Sequence, residues 1–295
     1  VRIGFGIPQF GGAAARVEET MRFAAGAEER GAASLWTGDR LLAAVDPSVG
    51  YAGSDTIPAE FRASHDPLAL LTAAAAVTTR VQLGTSTLNA PWYPPALLAR
   101  HALTVDRISG GRLLLGLGTG WSPEEYDAVG VPMSERGARL DDALDVLDAW
   151  WHDDPVAYRG KNVSIAPSHV EVKPHGIPVY LAGFAPRARR RIAERADGFL
   201  PVVTPGVPDL GRAVSRPWAE LRAAAADAGR GPGAVGAVLR VNLPPGSTAA
   251  DAVALLRRVR AETEIEHAFV DLMYLGADCG TALDLAGGIL DAAGS

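Results

Sequence analysis

Leu113-Leu114-Leu115-Gly116-Leu117-Gly118-Thr119-Gly120-Trp121 is the stretch from which the fold can be read. Its apolar run lacks the alternation of a strand with one wet face, and it passes directly into small residues and a hydroxyl. A parallel strand covered on both faces has that pattern, and it needs a crossover helix to reach its neighbour. With the quoted stretch taken as a strand over 112–117, seven other runs of the same kind stand at 3–8, 34–37, 81–85, 179–182, 198–203, 237–242 and 268–274. Helical segments alternate with them at 16–30, 66–78, 94–109, 135–151, 186–196, 217–228, 248–261 and 280–292. In 135–151, Leu140, Ala143, Leu144, Leu147 and Trp151 recur at three- and four-residue spacing and make one apolar face. Asp66-Pro67 and Ser247-Thr248 are helix starts, and Gly31 and Gly110 are helix stops. Eight such alternations in 295 residues predict an α/β fold, a (β/α)8 TIM barrel with rim insertions, as a single domain over 1–295. The rival is a doubly wound sheet with a glycine-rich phosphate turn after its first strand. Here Gly6 to Gly12 contains Pro8 and Gln9, which spoil that turn.

Composition narrows the function classes. Hydrophobic residues make up 48% and charged residues 21%, a globular balance. A formal net charge of −6 argues against general binding to nucleic acid or anionic membrane. Cys279 is the single cysteine, so neither an internal disulfide nor a cysteine zinc site can form. The longest apolar stretch, 68–77, is far short of the roughly 20 residues of a membrane span, and the N-terminus lacks a signal-peptide layout. A cytoplasmic protein with a small-molecule substrate is expected. The six histidines show no metal-ligand spacing and no metal is predicted; Gly84-Thr85-Ser86-Thr87-Leu88 is not a nucleophile elbow.

In such a barrel, the residues just past each strand face one pocket. They read Trp36-Thr37-Gly38-Asp39-Arg40, Gly84-Thr85-Ser86-Thr87, Gly116-Leu117-Gly118-Thr119-Gly120-Trp121 and Ala182-Gly183-Phe184-Ala185-Pro186. Small residues and hydroxyls at four successive strand ends leave room for a flat ligand and offer it hydrogen bonds; relief of crowding where the barrel closes is the bland alternative. Three connections, 40–65, 118–134 and 153–178, are too long to be simple turns.

Taken in order, Ser34-Leu35-Trp36-Thr37-Gly38-Asp39, Leu83-Gly84-Thr85-Ser86, Asp106-Arg107-Ile108-Ser109-Gly110-Gly111-Arg112-Leu113 and Gly116-Leu117-Gly118-Thr119-Gly120-Trp121 resemble the bacterial luciferase-like family. Pro132-Met133-Ser134-Glu135-Arg136-Gly137-Ala138-Arg139-Leu140 and Ala196-Asp197-Gly198-Phe199-Leu200-Pro201 are similar to its actinobacterial branch of deazaflavin (coenzyme F420)-dependent oxidoreductases. The likeness runs from residue 1 to about 203; beyond that only the strand-helix rhythm continues. It implies a TIM barrel, usually a homodimer, binding F420 or flavin mononucleotide (FMN) at the rim. The activity implied is hydride transfer to or from an organic substrate. The alternatives are a flavin-dependent monooxygenase and a barrel that has lost its cofactor.

The resemblance also assigns expectations to residues. Asp39 stands where the branch places a ring-contacting carboxylate, with a turn cap or an ion pair to Arg40 as the structural alternative. Ser86 and Thr87 match a bulge that supports the ring, which in that branch often contains a non-prolyl cis peptide. Gly118 directly follows the fourth strand and is a further candidate cofactor contact, and Gly183, Phe184 and Ala185 precede a helix whose N-terminus suits a cofactor phosphate. By helical period Arg187, Arg190 and Arg191 share one face there, and a solvated basic face is the alternative. Trp36 and Trp121 are candidate ring walls, and Tyr93 a candidate donor, with packing as the alternative for each. Many relatives carry His after the Asp; here Arg40 follows it. A guanidinium has no acceptor and stays protonated, so Arg40 cannot be a base, and reduction is favoured over alcohol oxidation. Arg40 is instead the expected catalytic cation, orienting substrate or cofactor charge.

Overall fold

A computed structural model describes residues 1–231 and 233–294. Its strands are β1 (Arg2–Gly6), β2 (Ser34–Thr37), β3 (Gln82–Thr85), β4 (Leu88–Asn89), β5 (Leu113–Gly118), β6 (Val156–Arg159), β7 (Ser164–Ser168), β8 (Val179–Leu181), β9 (Gly198–Phe199), β10 (Val202–Val203), β11 (Gly236–Ala237), β12 (Leu239–Asn242) and β13 (His267–Asp271). β3 and β4 are two pieces of the third barrel strand, β9 and β10 of the sixth, and β11 and β12 of the seventh. Within the barrel all neighbouring strands are parallel, and the ring closes. β9 pairs with β11, β10 with β12, β12 with β13, and β13 with β1, where Arg2 lies opposite His267 and Phe5 opposite Val270. That closure excludes the doubly wound sheet.

The helix boundaries follow local chemistry. Asp66 caps helix Pro67–Val77 by accepting from the Ala69 N–H at 2.7 Å. Thr248 and Asp251 form a reciprocal capping box on helix Ala249–Glu262. Gly110, at φ 68°, ends helix Pro95–Ser109 in the left-handed conformation. The first long helix starts later than its pattern suggests, at Thr20, after a 3-10 turn over Val17–Glu19.

Inside the barrel, Trp36 stacks on Phe269 at 4.6 Å between centroids, within a cluster with Leu114, Leu200 and Val238. Gly84 makes room for it, since a Cβ there would lie 2.4 Å from the indole. Trp36 is therefore core, not an exposed ring wall. A second, larger apolar layer lies between strands and helices.

The connection 153–178 departs from expectation. It carries an antiparallel hairpin, β6–β7, and it joins a helix to a strand, so it leaves from the end of the barrel opposite the mouth. The Tyr158 hydroxyl donates to Asp142 at 2.8 Å and to Asp145 at 2.9 Å, and Asn162 donates to Asp142, fastening the hairpin along helix Arg136–His152. Among the described residues no helix is long and apolar enough to cross a membrane.

Candidate active site

At the mouth, the third strand breaks between β3 and β4. The Ser86–Thr87 peptide bond is cis, and the strand resumes with Leu88 opposite Leu117 and Asn89 opposite Gly118. Thr85 locks the near side: its hydroxyl donates to the Gly116 carbonyl at 2.7 Å and accepts from the Gly116 N–H at 2.9 Å. Gly118 is required by Thr87, because a Cβ at 118 would stand 2.5 Å from the Thr87 hydroxyl. The Ser86 carbonyl accepts from Arg240 Nη1 at 3.1 Å, across the mouth from β12. Arg240 Nη2 donates to Asp271 Oδ2, at the end of β13, at 2.5 Å.

Asp39 follows β2 and is buried. Its Oδ2 accepts from the Asn89 N–H at 2.8 Å and the Tyr93 hydroxyl at 3.2 Å, while its carbonyl accepts from the Asn89 carboxamide at 3.1 Å. Burial outweighs those two hydrogen bonds and pushes its carboxyl up to about 7. Tyr93 is thus committed to Asp39. Arg40 pairs with Glu125, not with Asp39. Its guanidinium lies 4.4 Å from the Trp121 ring centroid and 5.2 Å from that of Phe61. Fully buried Glu125 also accepts the N–H groups of Leu41 and Leu42, at 2.8 and 3.3 Å, and Glu124 accepts that of Ser48 at 2.7 Å. Helix Pro123–Ala128 thereby fastens the long loop after β2 to the loop after β5.

Two cavities open beside these groups. One, of about 650 Å³, is lined by Ser86, Thr87, Trp121, Leu200, Arg240 and Asn242, among others. The second, of about 840 Å³, is lined by Gly183, Phe184, Ala185 and Arg187, with Arg136, Arg190 and Arg191. Ala182 and Phe184 line both, so the two spaces adjoin at these residues. Gly183 has φ 144°, and a Cβ on it would meet that of Ala188 at 2.6 Å. Of the three arginines expected on one face, Arg190 pairs with Glu194 and Arg191 with Asp141, while Arg187 has no hydrogen bond or ion pair among the described residues. Asp39 and Arg40 line neither cavity; Arg40 packs against Trp121, which lines the first.

Sequence reasoning missed Glu125, Arg240 and Asp271. Arg240 did carry a signal, as a charge inside the apolar run Val238-Leu239-Arg240-Val241. Glu125 carried none, since a Glu on a short polar helix reads as solvated surface.

A closed parallel barrel whose mouth holds a broken third strand, buried charges and two adjoining cavities defines a (β/α)8 barrel with its candidate site at the C-terminal rim. Residues 3–280 match the family model of luciferase-like monooxygenases, and the chain belongs to that family. An F420-dependent glucose-6-phosphate dehydrogenase of Amycolatopsis mediterranei is 30% identical over 189 residues, covering 62% of this chain and 52% of that protein. This chain spans about half the length of the curated relatives it matches. The monooxygenase RslO1 from Streptomyces bottropensis superposes with a TM-score of 0.79 at 18% identity over 100% of both chains. An F420-dependent secondary alcohol dehydrogenase, solved with an F420-acetone adduct, gives 0.74 at 16% identity over 99% of this chain and 98% of the other. At such identities these structures attest the fold.

Proposed function

We propose that this chain is an F420-dependent oxidoreductase that moves a hydride to or from a small organic substrate, with reduction favoured. The observation that carries the reading is the pair of adjoining cavities, which share Ala182 and Phe184 and suit the two ends of such a cofactor. The segment Ser86–Thr87, with Trp121 in the same wall, suits a flat ring; the Gly183–Ala185 turn, the helix N-terminus after it and the unpaired Arg187 suit an anionic tail. The F420-dependent dehydrogenase among the relatives supports the same choice.

When bound and reduced, F420 supplies a hydride, two electrons with one proton, to an acceptor carbon. The chain's own residues have other work. Ser86, Thr87 and Gly118 shape the ring's bed, and Gly183, Phe184 and Ala185 receive the phosphate. Asp39, its carboxyl pushed up to about 7, can hold or release a proton at Oδ1, the oxygen that accepts no hydrogen bond among the described residues. Arg40 has no acceptor, so it fixes charge behind Trp121 and takes no proton. Paired titrations with F420 and FMN, followed by fluorescence, test the reading. Preferential F420 binding is expected. Preferential binding of reduced FMN with oxygen consumption would point to a monooxygenase instead, and binding of neither to a barrel without cofactor chemistry.

A further inference from the structure

A third cavity, of about 580 Å³, opens at the end of the barrel where the strands begin, and none of its described lining residues belongs to either cavity at the mouth. Leu114 and Val238, from the core cluster around Trp36, are its apolar floor. Tyr180 and His267 stand in its wall, with Gln82 and Arg2 beside them. Arg2 lies opposite His267 in the pairing of β1 with β13, so the two side chains share a face. Room for Tyr180 is built in. A Cβ on Gly198 would lie 2.1 Å from its ring, and one on Gly236 would lie 2.7 Å from its hydroxyl.

This wall holds donors that lack acceptors. His267 is 2% exposed, and burial, with the Arg2 charge, pushes it down to about 4, so the ring is neutral at pH 7. Its tautomer follows from its neighbours. The Trp36 indole N–H can only donate, and it donates to Ser34 Oγ at 2.7 Å. The Ser34 hydrogen then goes to His267 Nε2, also at 2.7 Å, its only acceptor among the described residues. That leaves the ring hydrogen on Nδ1, a donor with no partner among the described residues. The Gln82 carboxamide N–H groups and the Tyr180 hydroxyl are unpartnered in the same sense, and Arg2 has no ion pair, only a 3.4 Å hydrogen bond to Gln82 Oε1. Farther out, Arg222 is spent on Glu264 at 3.0 Å and lies over the Trp218 ring. Glu266, the other carboxylate described there, is exposed at the rim, where water screens it.

We infer a second ligand site here, for a small carboxylate with a compact apolar body. The body rests on Leu114 and Val238, and the carboxylate accepts from His267 Nδ1, Gln82 and Arg2. A cation would meet Arg2 with like charge, and a phosphate would bring strongly hydrated oxygens onto Leu114 and Val238. No residue of the proposed hydride-transfer site takes part, so this inference stands or falls apart from that reading.

Benzoate, its uncharged counterpart benzyl alcohol, and inorganic phosphate are the probes. Their binding to the full chain at pH 7 is measured by calorimetry, and by the imidazole NMR signals of His267, assigned from their loss in His267→Asn. Benzoate is expected to shift those signals saturably, with a Kd below about 1 mM. Benzyl alcohol and phosphate should each bind at least about tenfold more weakly, and Arg2→Gln should weaken benzoate by at least about tenfold. Saturating F420 should leave benzoate affinity within about twofold, because the mouth is a separate space. Arg2 is exposed, so its variant keeps the fold; should His267→Asn fail to fold by circular dichroism, calorimetry on wild type and Arg2→Gln decides alone. Benzyl alcohol or phosphate binding as tightly as benzoate, unchanged benzoate affinity in Arg2→Gln, displacement of benzoate by F420, or no benzoate binding at about 10 mM overturns the inference.

Discussion

The two ends of the barrel treat buried charge in opposite ways. At the end where the strands begin, Glu28 accepts the backbone N–H groups of Thr79, Arg80 and Val81 at 3.0, 2.6 and 2.8 Å. Burial alone would raise its carboxyl, but those bonds win and hold it below the ordinary range. Arg112 nearby donates to the carbonyls of Ser109, Val81, Ala75 and Thr78 and to the Thr78 hydroxyl. At the mouth, Arg40 and Arg240 each bury an Nε without an acceptor, the Trp92 indole N–H is alike, and Asp39 titrates near 7. The contrast is not absolute, because Asp106 Oδ1 is also unpartnered at the first end while its Oδ2 accepts from the His175 N–H at 2.7 Å. Saturated charges fasten loops. Charges left with spare capacity cost stability and are kept where chemistry can use them.

The largest expected effect breaks the saturated end. Glu28→Ala strands three N–H groups and should cost about 3 kcal/mol in urea unfolding, with F420 affinity unchanged within about twofold under folding conditions. A loss of F420 affinity in the folded variant would show that the two ends are not separable.

At the mouth the sign should reverse. Asp39 is raised from 3.8 to about 7, so protons bind the folded state more tightly than the unfolded. Its contribution to stability is therefore fullest below pH 3.8 and is lost as pH rises through about 7. Asp39→Asn, which cannot ionise, should gain on the wild type across that window and be more stable by about 2 kcal/mol at pH 8. Thermal unfolding from pH 5 to pH 8 is the measurement. A constant difference across that range would mean that Asp39 is as well satisfied as Glu28.

Gly183→Val probes the cofactor side of the same end. The substitution demands an L residue at φ 144° and pushes a side chain toward Ala188, so the turn must move. F420 binding should weaken at least about tenfold, or 1.4 kcal/mol, in a protein that keeps its circular dichroism spectrum. Unchanged affinity would remove Gly183, Phe184 and Ala185 from the phosphate site.

Much of this molecule was legible before its structure, for physical reasons that also mark the limits. Strands covered on both faces must be apolar throughout, so 112–117, observed at 113–118, and its seven counterparts stood out, and Asp66, Thr248 and Gly110 punctuated the helices through local bonds. The hairpin β6–β7 did not stand out. It is mostly exposed, it contains Pro167, and its anchor is the Asp142 carboxylate, which no periodicity encodes. The partnerships at the mouth were equally hidden. Arg40 and Glu125 are 85 residues apart and Arg240 and Asp271 are 31 apart, the latter brought together by the pairing of β12 with β13. The sequence alone therefore suggested Arg40 as a free cation, whereas the fold gives it a partner.

The smallest expected effect decides to which end Arg40 belongs in kind. Arg40→Ala is a poor probe, because it leaves the Glu125 carboxylate buried and alone, and that penalty would swamp any role in turnover. Arg40→Lys keeps a charge for Glu125 but loses the planar guanidinium that lies against Trp121 and Phe61. Trp121 lines the reaction cavity, so a looser indole should slow hydride transfer from reduced F420 by about threefold while F420 affinity stays within twofold. Arg40→Met paired with Glu125→Gln removes both charges together, and a positioning role for the cation predicts a further slowing there. Single-turnover kinetics, once a substrate is known, reads both variants. Wild-type rates in the two would make Arg40 a fastening residue like Arg112, despite its place at the mouth and its unpartnered Nε.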